Sequence, residues 1–120
     1  MTKDDLKTIE KALAVRLPQS YATLMTSSEA EAARDDYFFR FLFIDPAVVV
    51  ERTIWLRELM ASYGLAFKVS FVVVSEINGG DAVIIDTAGT AEELLFWDHE
   101  TNVVASFECS LSDFAIPMRN

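Results

Sequence analysis

Phe71-Val72-Val73-Val74-Ser75-Glu76-Ile77-Asn78-Gly79-Gly80-Asp81-Ala82-Val83-Ile84-Ile85-Asp86 decides how the second half of the chain is read. Two β-branched, apolar runs flank a three-residue break, Asn78-Gly79-Gly80, whose residues tolerate positive φ. This is a hairpin: one strand over Phe67–Ile77, with room for a bulge, and a second over Asp81–Asp86. Downstream the rhythm repeats. A turn around Gly89 leads to a strand over Glu93–Trp97, a turn over Asp98–Asn102, and a fourth strand over Val103–Phe107. Ser110-Leu111-Ser112-Asp113 has capping-box spacing for a short last helix carrying Phe114 and Ile116.

Upstream the period changes. Thr2 precedes Lys3-Asp4-Asp5, an N-cap followed by acids, and Leu6, Ile9 and Leu13 recur at helical spacing. Leu17-Pro18 ends that helix and opens another, with Pro18 at its first position and Tyr21, Leu24 and Met25 as its apolar stripe. Thr26 to Asp36 fits a loop or a helix extension equally. Tyr37–Ile44 reads as a strand. Asp45-Pro46 caps a helix running to about Ser62, with Val49, Arg52, Leu56, Leu59 and Tyr63 along one side and Gly64 as its stop. Helices before an antiparallel meander predict an α+β fold with helices packed on one face of the sheet. The chain shows no repeat or linker, so residues 1–120 are taken as a single domain.

The chain has 120 residues, 52% of them hydrophobic, with 4 Gly and 3 Pro, which excludes a disordered polypeptide. No apolar run reaches the ~18 residues of a membrane span. The N-terminus lacks the apolar core of a secretion signal, and a single cysteine, Cys109, makes no intrachain disulfide. A cytoplasmic protein is therefore expected. The formal net charge is −9, unevenly spread. Residues 1–60 carry 8 bases and 10 acids; residues 61–120 carry 2 bases and 9 acids. No Lys or Arg occurs between Val69 and Met118. Such a surface argues against direct contact with nucleic acid, which requires basic residues at the phosphates. It fits either a solvated, solubilising face or one that steers a basic partner.

Taken together, four segments resemble the SMI1/KNR4 (SUKH) superfamily. Leu17-Pro18-Gln19-Ser20-Tyr21 is similar to its LP-x-x-Y helix junction, and Gly80-Asp81 with the strand after it to its Gly-Asp strand. Phe96-Trp97-Asp98-His99-Glu100 is similar to its W-D-H-E strand end. Ala105-Ser106-Phe107 through Phe114 is similar to its closing segment. The family's glycine turn after the LP-x-x-Y helix has no counterpart in Thr26–Glu31, so that loop is remodelled. The resemblance implies an α+β interaction domain without catalytic residues. In bacteria such domains are commonly immunity proteins that block toxin domains, often nucleases. The alternative it implies is an intracellular regulatory or scaffold module unrelated to toxins.

The residues themselves offer little chemistry. His99, the only histidine, lies between Asp98 and Glu100, but one His and one Cys fall short of a zinc ligand set. Cys109 has Glu108 and Asp113 nearby, which oppose a thiolate. Gly79-Gly80 lacks the spacing and lysine of a phosphate loop. Glu92-Glu93 and Asp98/Glu100 are carboxylate pairs in an acid-rich chain, without a calcium-loop pattern. The expectation is no catalytic residue, no cofactor and no metal. The residues expected to meet a protein partner are Asp81, Asp86, Trp97, Asp98 and Glu100 at strand ends, with Asp35 and Asp36 as a second patch. Trp97 alternates with Phe96, so one of the two points away from the core; Trp97 is either an interface anchor or a covered core residue. Trp55, in mid-helix, is expected to be partly core. The partner is a basic toxin domain or another protein, with neither nucleic acid nor membrane bound directly. An open sheet edge would also allow a homodimer.

Overall fold

A computed structural model describes residues 1–26, 42–77, 79–89 and 93–110, with only the backbone of 108–110. Helix α1, Lys3–Leu13, starts from a complete capping box. Thr2 Oγ1 accepts from the Asp5 N–H at 3.1 Å, and Asp5 Oδ2 accepts from the Thr2 N–H at 2.8 Å. Leu6, Ile9 and Leu13 face the core as their spacing requires. Glu10 then reaches past the helix end, its Oε2 accepting from the Leu17 N–H at 2.8 Å, and this ties down the Leu17-Pro18 junction. Helix α2 is Gln19–Thr26, with Tyr21, Leu24 and Met25 buried. The Pro18 carbonyl accepts from the Ala22 N–H at 3.0 Å. Pro18 is thus the cap itself, one place earlier than expected; lacking an N–H, proline fits either position.

Helix α3, Pro46–Ser62, begins at Asp45, whose Oδ1 accepts from the Ala47 N–H at 2.9 Å. It ends before Gly64, at φ +69°, a conformation that disfavours any side chain. Its buried line is Val49, Thr53, Leu56 and Met60. The expected line is corrected here: Arg52 and Leu59 lie on the flank and Tyr63 is exposed. A threonine takes a core position because Thr53, fully buried, accepts the Val73 N–H at 2.9 Å through Oγ1. A strand donor is thereby satisfied from a helix. Thr53→Val keeps the shape and strands that donor, so it should cost about 1–3 kcal/mol. Chemical denaturation checks this, as a lower midpoint at an unchanged slope.

The strands are β1 Phe71–Ile77, β2 Asp81–Asp86, β3 Glu93–Trp97 and β4 Val104–Ser110. They form an antiparallel meander in the order β1-β2-β3-β4. The anticipated bulge in β1 falls between Val73 and Ser75. The strand starts at Phe71 rather than Phe67, because the Phe71 N–H closes a turn onto the Lys68 carbonyl. β4 runs further than expected, and Ser110 pairs with Glu93 inside the sheet. The rest of the last expected helix, from residue 111, lies outside the described residues, as do most of Tyr37–Ile44 and all of 27–36. At the described end of that stretch, Leu42 bridges Ser75 and the Phe43 N–H donates to the Val74 carbonyl at 2.9 Å.

Helices pack against this sheet, which makes the fold α+β. Val72, Val74, Val83, Ile85 and Leu94 cluster with the buried stripes of α1 and α2 and with Val49. The alternate residues Phe71, Val73, Ala82, Ile84 and Trp97 cluster with Leu56 and Met60 of α3. The first half of α3 thus serves one cluster and its second half the other, with Thr53 between them. This double cover explains the uninterrupted apolar runs Phe71–Val74 and Ala82–Ile85, since strands buried on both faces lose the polar alternation of half-exposed ones.

Candidate partner-binding face

Strand pairing brings two turns to the same end of the sheet. Ala82 pairs with Trp97, so Asp81 and the residues after Trp97 meet one step further on. The β1–β2 turn is closed by the Gly80 N–H on the Ile77 carbonyl at 3.1 Å, with Gly79 at φ +73° and Gly80 at φ +150°. The β3–β4 loop is held from within. Asp98 Oδ1 accepts from the Glu100 N–H, and the Asn102 N–H donates to the Asp98 carbonyl, both at 2.8 Å, with Asn102 left-handed at φ +60°.

A latch joins the two turns. Asp81 Oδ1 accepts the His99 N–H at 3.0 Å and lies 2.7 Å from His99 Nδ1. The imidazole packs on Gly80 so closely that a Cβ there would stand 3.3 Å from Cγ. At φ +150° with a ring overhead, Gly80 suits no other residue. The hydrogen bond to Asp81 is the main cause of a raised His99 pKa; burial opposes it, and the charges of Asp81, Glu100 and Asp98 add to it. The folded state therefore binds the proton better than the unfolded chain. The His99 contribution to stability is full below the ordinary histidine value of about 6.5 and is lost as pH rises through the higher folded value. His99→Asn should remove that pH-dependent part. Melting curves across neutral pH should show wild type losing its advantage over the variant as pH rises.

Asp81, Asp98 and His99 each bring a donor atom within 4.8 Å of the others. The 2.7 Å contact between two of these atoms is that of a hydrogen bond. Two ligands of one tetrahedral zinc ion stand roughly 3.3 Å apart. In this structure the hydrogen bond makes the cluster a latch between the two turns, with Asp98 half-buried and Glu100 exposed beside it.

Three of the expected site residues, Asp81, Asp98 and Glu100, meet at this end, although Asp81 is turned inward and buried. Asp86 closes the far end of β2, about 16 Å away at the strand rise. There its Oδ1 accepts from the Ala88 N–H at 3.0 Å, and its Oδ2 lies 3.9 Å from Lys68 Nζ. Trp97 resolves to the covered alternative: it is 3% exposed, and an outward anchor at that position is corrected. The exposed tryptophan is Trp55, at 42%, whose ring meets Trp97 edge-on with centroids 6.1 Å apart. Asp35, Asp36 and the side chain of Cys109 lie outside the described residues. Sequence reasoning missed Glu76 and Arg52, which pair at 2.9 Å beside the same end. The signal for Glu76 was available: it is the last acid before the Asn78-Gly79-Gly80 turn. Among the described residues, no helix is long and apolar enough to cross a membrane.

An antiparallel meander backed by helices, its acids gathered at turns around a hydrogen-bonded latch, defines an α+β domain. The sequence model of the SMI1-KNR4 cell-wall family, within the SUKH superfamily, matches residues 3–114, and the chain belongs to that family. Membership is consistent with an immunity-protein-like domain that binds protein partners. No curated protein and no solved structure matches the chain.

Proposed function

We propose that this chain is a non-enzymatic, immunity-type inhibitor that neutralises a basic, nuclease-type toxin domain in the cytoplasm through an acidic end of its sheet. Asp98 and Glu100 present charge there, and Asp81 with His99 fixes the loop that carries them. The observation that carries the reading is the joining of these acids at one end of a sheet drawn from a stretch without Lys or Arg. A nuclease holds phosphates with basic residues, and an acidic partner seated over them blocks access while gaining association rate from charge. Residues 1–120 act as one unit in this reading. Asp35 and Asp36 remain assigned to a second patch, whereas Asp86, at the far end, would contact only a partner wide enough to span the sheet.

Affinity capture of the tagged chain from its native cells, at low and high salt, tests the proposal. Recovery of a basic toxin domain that is lost at high salt supports it. Salt-independent recovery of a housekeeping protein would favour a regulatory module instead.

A further inference from the structure

Glu76, Ala82 and Trp97 form a row across β1, β2 and β3, since Glu76 pairs with Ala82 and Ala82 with Trp97. An acid and an aromatic are thus separated by a methyl group. Beside the row, Arg52 of α3 reaches from Trp55 on its own helix to Glu76. Its Nη2 donates to Glu76 Oε1 at 2.9 Å, and its guanidinium carbon lies 4.4 Å from the centre of the Trp55 ring. Beneath it is a small cavity of about 10 Å³, lined in part by Trp55, Glu76, Gly80 and Ala82. That is room for about one water. Gly80 also carries the His99 ring, so the glycine is shared by the cavity lining and the latch.

These are the parts of a guanidinium site: a carboxylate for the charge and an indole face for the plane. The chain fills it with its own Arg52. That side chain stands on the helix flank and remains 31% exposed, and Trp55 and Glu76 are also partly exposed. Arg52 is thus free to swing into solvent without opening the core.

We propose that this is a recognition pocket for an arginine side chain of a basic partner, and that Arg52 is a built-in stand-in which the partner's arginine displaces. The inference rests on the basic-partner reading above and adds its anchor. Arginine is favoured over lysine because only the planar guanidinium both stacks on the indole and bonds the carboxylate in a fixed fork.

The test uses the full chain and a blocked tri-arginine peptide, followed by tryptophan fluorescence and by the Trp55 indole N–H signal in NMR. Arg52→Met empties the pocket and keeps the aliphatic stem; Arg52→Gln serves if the first variant fails to fold. The emptied protein should bind the peptide at least tenfold more tightly than wild type. Adding Glu76→Gln should abolish that gain, and a tri-lysine peptide should gain less. Binding that is unchanged or weaker in both Arg52 variants, or equal for the two peptides, overturns the proposal. Such a failure leaves the acidic-end reading standing, because that reading depends on Asp98 and Glu100. Failure to capture a basic toxin would not change the peptide result.

Discussion

Asp98→Asn combined with Glu100→Lys should slow association with the basic partner by one to two orders of magnitude at low salt, and by much less at high salt. Asparagine keeps the side-chain acceptor that the Glu100 N–H uses in the loop, so the turn survives while its charge changes. Charge complementarity acts mainly on the encounter, where steering raises rates by 10- to 1,000-fold and fades as ions screen it. The dissociation rate should change less. Stopped-flow mixing across a salt series measures both. Equal association rates for wild type and variant at low salt would place the contact elsewhere on the molecule.

Trp97→Ala should lower stability by about 3–5 kcal/mol, the usual cost of deleting a large buried aromatic. For a domain of this size that is a fall in melting temperature of roughly 10–20 °C. Trp55→Ala, at an exposed site, should move the melting temperature by a few degrees at most. The contrast separates the two residues by burial: loss of Trp97 acts through folding, whereas the Trp55 variant stays folded. Calorimetry of both variants is sufficient. Comparable melting temperatures would contradict the burial of Trp97 between sheet and helix.

The residues that the sequence disclosed are those governed by local rules. Thr2 with Asp5, Asp45 ahead of Pro46, and Gly64 set helix limits through bonds spanning a few positions. The hairpin closed at Gly79-Gly80 follows from turn chemistry, and β2 and β3 have the boundaries that the flanking turn residues imply. Where the reading failed, a distant partner decided the outcome. Thr53 displaces Arg52 from the core line because the Val73 N–H, twenty residues away in sequence, needs an acceptor. Alternation placed Phe96 and Trp97 on opposite faces but carried no sign of which face was covered, and here α3 reaches round to cover the second.

The candidate site divides along the same line. That Asp98 and Glu100 lie in an exposed turn was legible from the turn itself. That Asp81 belongs with them, and Asp86 does not, depends on the Ala82–Trp97 register, which the sequence does not state. His99 looked like a lone turn residue. Its role as the clasp between two turns emerges only when Gly80 and Asp81 are set beneath its ring. The pairing of Arg52 with Glu76 was hidden for a similar reason, since helix and strand meet only in the folded chain.

The most direct test of the central claim is protection. The catalytic domain of the captured toxin would be expressed in susceptible cells alone, with the wild-type chain, and with the Asp98→Asn/Glu100→Lys variant, at matched protein levels. The wild-type chain should restore growth and the variant should not. Growth restored equally by both, or by neither, would contradict it.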